Sequence, residues 1–274
     1  MASAPFDPEA VRAFEHARWQ SAAGAYGATF ASATEPFIEA LLDAAQVARG
    51  TRLLDIACGP GFVTSSGSAR GAVTWGLDFS TAMLAVARAR ETAVRFDEGD
   101  AEALPYPDAA FDAVVANFGI HHVPRPLFAL REARRVLRQG GHVAFSFWAE
   151  PEKNIAWKLV FDAIARHGNR AAGRAPAPGG GFGTQAQCAD ALRQAGFTGC
   201  STRVVHATWR HCDAQALVAA LQAGTARMAA MLEAQQPDAM AVIVADIAGN
   251  AERYGSAEGI AVPIAAVIAS GTRS

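Results

Sequence analysis

Short apolar runs and segments with apolar residues three or four apart alternate through the middle of the chain. The runs 51–56, Val73–Asp78, Val94–Glu98, Ala113–Asn117 and His142–Trp148 predict strands. Between them, 62–70, Ser80–Arg90 and Phe128–Leu137 predict helices, the second opened by Ser80-Thr81 and the third stopped by Gly140-Gly141. Strands and helices in strict alternation predict an α/β, doubly wound, mostly parallel sheet. Ahead of this core, residues 8–48 predict two helices. Pro8-Glu9 opens the first, with Val11, Phe14, Ala17 and Trp19 as its apolar stripe. Thr34-Glu35-Pro36 starts the second, and Gly24 and Gly27 around Tyr26 predict a bend between them. Beyond 150, Asn154–His167 predicts a helix, and the Pro/Gly-rich stretch 171–183 predicts a mobile loop. Thr184 caps a helix to Gln194, 201–209 predicts a strand, and 213–253 predicts a helical lid. Ile260–Ser270 predicts the last strand, with Pro263 keeping its first part out of any interior ladder. The expected units are a helical cap at 1–45, a core at 46–150, a lid helix, mobile loop and core helix at 151–200, and closing strands with the lid insertion at 201–274.

Composition narrows the function. A chain of 274 residues holds one large α/β domain with a lid, or two small domains. A net charge of −2 argues against a nucleic-acid partner, which calls for a strong basic excess. Cys58, Cys188, Cys200 and Cys212 lack metal-type spacing and read as reduced thiols. The start MASAPFDPEA has no signal-peptide pattern, and no apolar run reaches the ~18 residues needed to span a bilayer. The expected location is cytoplasmic, without membrane insertion.

The chemistry concentrates in Leu53–Thr64, LLDIACGPGFVT, a strand, a glycine turn and a helix start. A dinucleotide fingerprint requires a third glycine where Thr64 stands, and a P-loop requires a lysine that is absent. Instead Asp55 precedes the glycines, and Asp78 ends the next strand where a ribose-binding carboxylate falls. Downstream come D-A-x-x-L-P-x-x-D-x-x-F-D-x-V from Asp100 to Val114 and E-x-x-R-V-L-x-x-G-G from Glu132 to Gly141. Across about residues 45–150 this set resembles the class I S-adenosylmethionine (SAM) methyltransferases. The subgroup it resembles includes the ubiquinone and menaquinone C-methyltransferases and many natural-product O- and N-methyltransferases. Ala57 stands in place of the motif's first glycine.

The resemblance implies a seven-stranded sheet whose last strand runs antiparallel, with SAM as cofactor and S-adenosylhomocysteine as product. Asp55, Ala57, Gly59 and Gly61 would form the cofactor turn, and Asp78 would take the ribose hydroxyls. Phe79 and Met83 would pack on adenine, while Asp100 and the amide of Ala101 would read its edge. Asn117 and Phe118 would complete the cofactor site at the end of strand four, with Tyr26 facing the methionine end. By spacing alone, Met83 and Tyr26 also fit core positions, and Asp100 fits a turn cap. His121 is the first candidate for general base. His122 comes second, with a structural or cofactor-side role the better fit to the family's habit. Some family members support such a histidine with a carboxylate at the end of strand five, where this chain has Phe147-Trp148. Phe145, Phe147, Trp148, Trp157 and Phe182 suggest an aromatic acceptor site, though core packing also explains Phe145 and Phe147. His16, His206 and His211 are scattered, and no metal is expected. The implied activity is methyl transfer to O, N or C of a small, apolar or aromatic metabolite. The alternative is a SAM-binding protein of the same fold that acts as a cyclase or binds without transfer. The missing third glycine disfavours an NAD(P) dehydrogenase. The expected partner is a small-molecule acceptor. A homodimer is compatible with the sequence, which leaves the oligomeric state open.

Overall fold

The computed structural model describes residues 6–173, 175, 182 and 184–274. Its strands are β1 (Arg52–Ile56), β2 (Val73–Asp78), β3 (Arg95–Glu98), β4 (Phe111–Ala116), β5 (Leu137–Trp148), β6 (Thr198–His211), β7 (Gly255–Ser256) and β8 (Gly259–Thr272). They form one sheet in the order β3-β2-β1-β4-β5-β8-β6, with the short β7 paired to β8. β1 to β5 are parallel, and β8 runs antiparallel between β5 and β6. Neighbouring residues of one strand enter opposite cores. Leu53, Val115 and Ile268 join one buried cluster, while Leu54, Val114 and Val267 join the other. Burial on both faces is why these strands read as continuous apolar runs rather than alternating ones.

Helices cover both faces. Ahead of β1 come α1 (Pro8–Thr29), α2 (Ala31–Thr34) and α3 (Ile38–Ala44). Between the parallel strands lie α4 (Phe62–Ala69), α5 (Thr81–Arg90) and α6 (Pro126–Val136). After β5 come α7 (Ile155–His167) and α8 (Gln185–Gln194), and after β6 come α9 (Ala214–Gly224), α10 (Arg227–Glu233) and α11 (Pro237–Ala251). α9 packs on α1, and α11 packs on α7 and α9. Strand order reverses at β1/β4, so the crevice lies at their C-terminal ends.

Four expectations change. The first helix does not bend at Gly24–Gly27, because α1 runs unbroken to Thr29, where Thr29 Oγ1 bonds back to Ala25 O at 2.8 Å. Interior glycine costs a helix only ~1 kcal/mol, which packing offsets. Its inward side also differs from the expected stripe, since Ala17 is exposed and Glu15 is fully buried. The Gly140-Gly141 pair does not stop α6, which ends at Val136. It lies inside β5, at a register shift against β4 between the Phe111–Leu137 and Ala113–His142 pairs. Gly140 takes a left-handed φ of 76°, the conformation such an irregularity needs. Pro263 does enter a ladder, opposite Thr208 of β6, but it precedes Ala266, where pairing to β5 begins. The mobile loop expected at 171–183 falls mostly outside the described residues.

The turn after β1 carries strain that a neighbour accommodates. Ala57 adopts φ 53°, and a Cβ added to Gly119 would lie 2.5 Å from the Ala57 Cβ. Alanine in the first turn position thus demands glycine at 119. Gly119→Ala should destabilise the fold by ~1–3 kcal/mol through overpacking. Adding Ala57→Gly should restore most of that loss, with the coupling read from a double-mutant cycle in urea. Strictly additive effects would show that the two sites do not press on each other.

Candidate functional site

Three left-handed residues within five, Ala57, Gly59 and Gly61, turn the chain sharply from β1 into α4. The turn is strapped to β2 by Cys58 N–H to Leu77 O at 3.0 Å and Gly59 N–H to Asp78 Oδ2 at 2.8 Å. Ala57 and Gly59 line a cleft at the strand ends, whereas Gly61 does not. Gly61 caps α4 with φ 82° from beneath, where a Cβ would meet Thr64, Phe96 and Ala87 at 3.0–3.3 Å.

Two acids stand at the strand ends in this cleft. Asp55 is 1% exposed, and among the described residues neither of its carboxyl oxygens has a hydrogen-bond partner of good geometry, the nearby Thr64 amide only opposing the effect of burial. Burial first, and the charge of Asp78 second, push it well above the usual carboxylate range. Asp78 is 4% exposed and accepts from the amides of Gly59 and Ser80, both at 2.8 Å. Burial raises it to about 6, against the lowering effect of those amides. A buried carboxylate without a donor suits a ligand that brings a positive charge, and Asp78 keeps spare lone pairs for hydroxyls. These are the groups that the ammonium and ribose of SAM would require, so the donor set fits that cofactor.

Beside the acids, Phe79, Met83, Gly99, Asp100 and Ala101 line the same cleft. The Ser80 hydroxyl caps α5 at the Met83 amide, 3.2 Å away. Gln20 Oε1 accepts from Ala82 N–H at 2.8 Å and from the Ser80 hydroxyl. Asp100 Oδ1 accepts from the Glu102 amide at 2.9 Å, and its Oδ2 is bonded by Arg12 of α1. Arg12 also reaches Glu102 at 3.2 Å, so a cation from the cap closes over this end of the cleft.

The other end of the cleft is aromatic: Trp19, Tyr26, Phe30, Phe62, Phe118 and Trp148. Phe118, at φ 55°, stacks on Trp148 with centroids 3.9 Å apart, and Trp157 backs Trp148 at 4.2 Å. Polar atoms here are already spent. Tyr26 Oη pairs with Thr34 Oγ1 at 3.1 Å, Asn117 Nδ2 donates to Thr34 O at 3.2 Å, and Ser146 Oγ donates to Asn117 Oδ1 at 2.7 Å. Burial pushes the Tyr26 hydroxyl up to about 12. Of the five aromatics expected at the acceptor site, only Trp148 lines the cleft. Phe145 and Phe147 pack against Phe182 instead.

The two histidines separate. His122 lines the cleft and His121 does not. The His121 ring meets the edge of Phe147 at 4.8 Å, and its buried Nδ1 has no hydrogen-bond partner among the described residues. Burial, then His122 and Arg227, hold it well below the usual histidine range. His122 Nδ1 lies 2.9 Å from Glu15 Oε2, which also accepts from Trp19 Nε1 at 3.1 Å. Glu15 Oε1 pairs with Arg227 of α10 at 2.6 Å. Despite its burial, its pairing with His122 and Arg227 holds Glu15 below its ordinary value. Sequence reasoning missed Arg12, Glu15 and Arg227. The signal for the first two was helical spacing, since Arg12, Glu15, His16, Trp19, Ala23 and Tyr26 recur every three or four residues on one face of α1. Among the described residues no cluster of three metal-ligating side chains occurs, and no helix is long and apolar enough to cross a membrane.

The acids generate opposing pH effects. Both titrate above their unfolded values, so the stability they contribute is complete below the unfolded carboxyl range near ~4 and is lost as pH rises. For Asp78 that loss runs through about 6. A ribose needs the ionised form, so SAM affinity should fall as pH drops through about 6, measured by calorimetry. Asp55→Asn should raise the melting temperature of the ligand-free protein while weakening SAM binding by ~1.5–3 kcal/mol, the range for a hydrogen bond to a charged group. A variant that loses both stability and affinity would refute the unpaired-acid reading.

Residues 54–145 match a family model described as a methyltransferase domain. A demethylmenaquinone methyltransferase from Listeria monocytogenes is 39% identical over 132 residues, 44% of this chain and 54% of the relative. A malonyl-[acyl-carrier protein] O-methyltransferase from Erwinia pyrifoliae is 38% identical over 125 residues, 44% of this chain and 48% of the relative. The chain thus spans about half the length of the curated relatives it matches. A solved Haemonchus contortus phosphoethanolamine N-methyltransferase 2, in complex with phosphomonomethylethanolamine and S-adenosylhomocysteine, superposes with TM-score 0.53 at 17% identity. That match covers 87% of this chain and 53% of the other, and it shows likeness of fold. A matched domain model over the glycine turn, a sheet of this order and relatives of one reaction class agree that residues 54–145 are similar to a SAM-dependent methyltransferase domain.

Proposed function

We propose that this protein transfers a methyl group from SAM to a small, largely apolar or aromatic acceptor. The observation that carries this reading is a single cleft joining an unpaired acid and a glycine turn to six aromatic rings and one histidine. When bound, SAM supplies a methyl already activated by its sulfonium. Asp55 would hold the ammonium and Asp78 the ribose hydroxyls. Phe79 and Met83 would flank adenine, with Asp100 and Ala101 at its edge. The aromatic walls would exclude water and hold the acceptor in line, an effect worth up to ~7–11 kcal/mol for a well-aligned pair. Of the two histidines, His122 is the better candidate to take a proton, because it lines the cleft while His121 is packed behind it. The two relatives act on a demethylmenaquinone and on a malonyl-acyl-carrier protein, so acceptor identity does not carry over from the shared core.

The test is a metabolite screen with methyl-labelled SAM, coupled to detection of S-adenosylhomocysteine. Acceptor-dependent release of that product with label in a small apolar metabolite is expected. SAM binding without label transfer to any acceptor would favour a non-transferring or cyclase role. Failure to bind SAM at all would overturn the assignment.

A further inference from the structure

We infer that Glu15 is the positioning residue for His122, fixing its ring so that Nε2 is a free proton acceptor for a hydroxyl-bearing substrate. This rests on the reading of the cleft as a methyl-transfer site. The Glu15 side chain is fully buried, an unusual place for a carboxylate on a helix that caps a domain. Its oxygens are spoken for: Arg227 on Oε1, Trp19 and His122 on Oε2. With a cation and an indole N–H already donating, the group is ionised and can only accept. His122 Nδ1 at 2.9 Å must therefore carry the proton of the shared hydrogen bond. In the neutral ring the lone pair is then on Nε2, which has no partner among the described residues. Trp19 adds its edge to the ring at 5.0 Å, a second restraint on orientation.

The charged or titratable neighbours of His122 are Glu15, Arg227 and His121. His121 is buried and held well below the usual histidine range, and its ring does not line the cleft. The chemical consequence follows from the tautomer. An acceptor hydroxyl gives its proton to Nε2 as its oxygen bonds the methyl carbon, and the electron pair of the broken C–S bond stays on sulfur. One sulfonium charge is lost and one imidazolium charge appears, facing the Glu15 carboxylate that stabilises it. The geometry suits an acidic alcohol, enol or phenol better than a neutral amine, which needs no base to react.

The test reads the ring directly. Long-range ¹H–¹⁵N correlation spectra of histidine-labelled protein, saturated with S-adenosylhomocysteine in alkaline buffer, report each tautomer. The His122 signal is assigned by its loss in His122→Asn. The wild type should show Nδ1–H with unprotonated Nε2, and an Nε2–H ring would overturn the proposal without any variant. In Glu15→Gln, whose amide offers a donor, the fixed tautomer should be lost, while Glu15→Asp should keep it. An unchanged ring in a folded Glu15→Gln protein would also overturn it. With an acceptor identified by the labelled-SAM screen, Glu15→Gln should lower kcat by ~10²-fold while leaving the KM for SAM nearly unchanged. A screen that finds no acceptor would count against methyl transfer, while the tautomer result would still decide the role of Glu15.

Discussion

Two carboxylates buried side by side at the ends of β1 and β2 are the constraint around which the rest of this structure is arranged. The charge of Asp78 raises Asp55, and burial raises both. The fold answers only one of them: the tight turn after β1 presents the Gly59 amide to Asp78, and the start of α5 presents the Ser80 amide. Asp55 receives no such partner. The left-handed backbone at Ala57 and Phe118 lies in the same crevice, so strain and unpaired charge coincide there. Such a concentration is costly in the free protein and is what a ligand-binding site looks like before its ligand arrives.

The cap is fastened over this crevice by directional bonds as well as by the apolar area that Phe30, Phe37, Leu41 and Leu42 bury. α1 presents Arg12, Glu15 and Gln20 to the core, and Arg18 reaches Glu233 at the end of α10. The Arg18 pair is solvent-accessible, a class of contact worth ~0–1 kcal/mol. Glu15 differs in kind. It is desolvated and joined to both the loop after β4 and α10, so removing one partner leaves a charge stranded in the interior. That single side chain therefore ties α1 and α10 to His122, which lines the cleft.

The core was legible because its determinants are contiguous. A strand, a turn and a helix within Leu53–Thr64, followed by an acid at the end of the next strand, can be read without knowing any distant contact. Asp55, Ala57, Gly59, Asp78, Phe79, Met83, Asp100, Ala101, Asn117, Phe118 and Tyr26 all line the cleft. Gly61 acts from beneath it. The errors have a common cause. Gly24, Gly27 and Gly140-Gly141 were weighed by local preference, and tertiary packing or strand pairing overruled it. Glu15 was invisible for the opposite reason. It sits 107 residues from His122, and a search for a supporting carboxylate confined to the end of β5 could not reach it. The face of α1 that matters is mixed polar and aromatic, so an apolar stripe was the wrong template.

Sequence distance also explains where the likeness to relatives ends. The matched domain, residues 54–145, contains nearly every group expected to hold the cofactor. Most of the aromatic end lies outside it: Trp19, Tyr26 and Phe30 on the cap, and Trp148 just past the last matched residue. Glu15 and Arg227 lie outside it as well. A segment that only has to cover a crevice can change its inward side chains while the acids and the turn remain as they are. On the proposed reading, α1 and the end of β5 would select the acceptor, and the turn they enclose would hold the cofactor. On this division, two proteins that share the core could methylate quite different molecules, and in this chain Trp19, Tyr26, Phe30 and Trp148, which lie outside the matched domain, form most of the aromatic end.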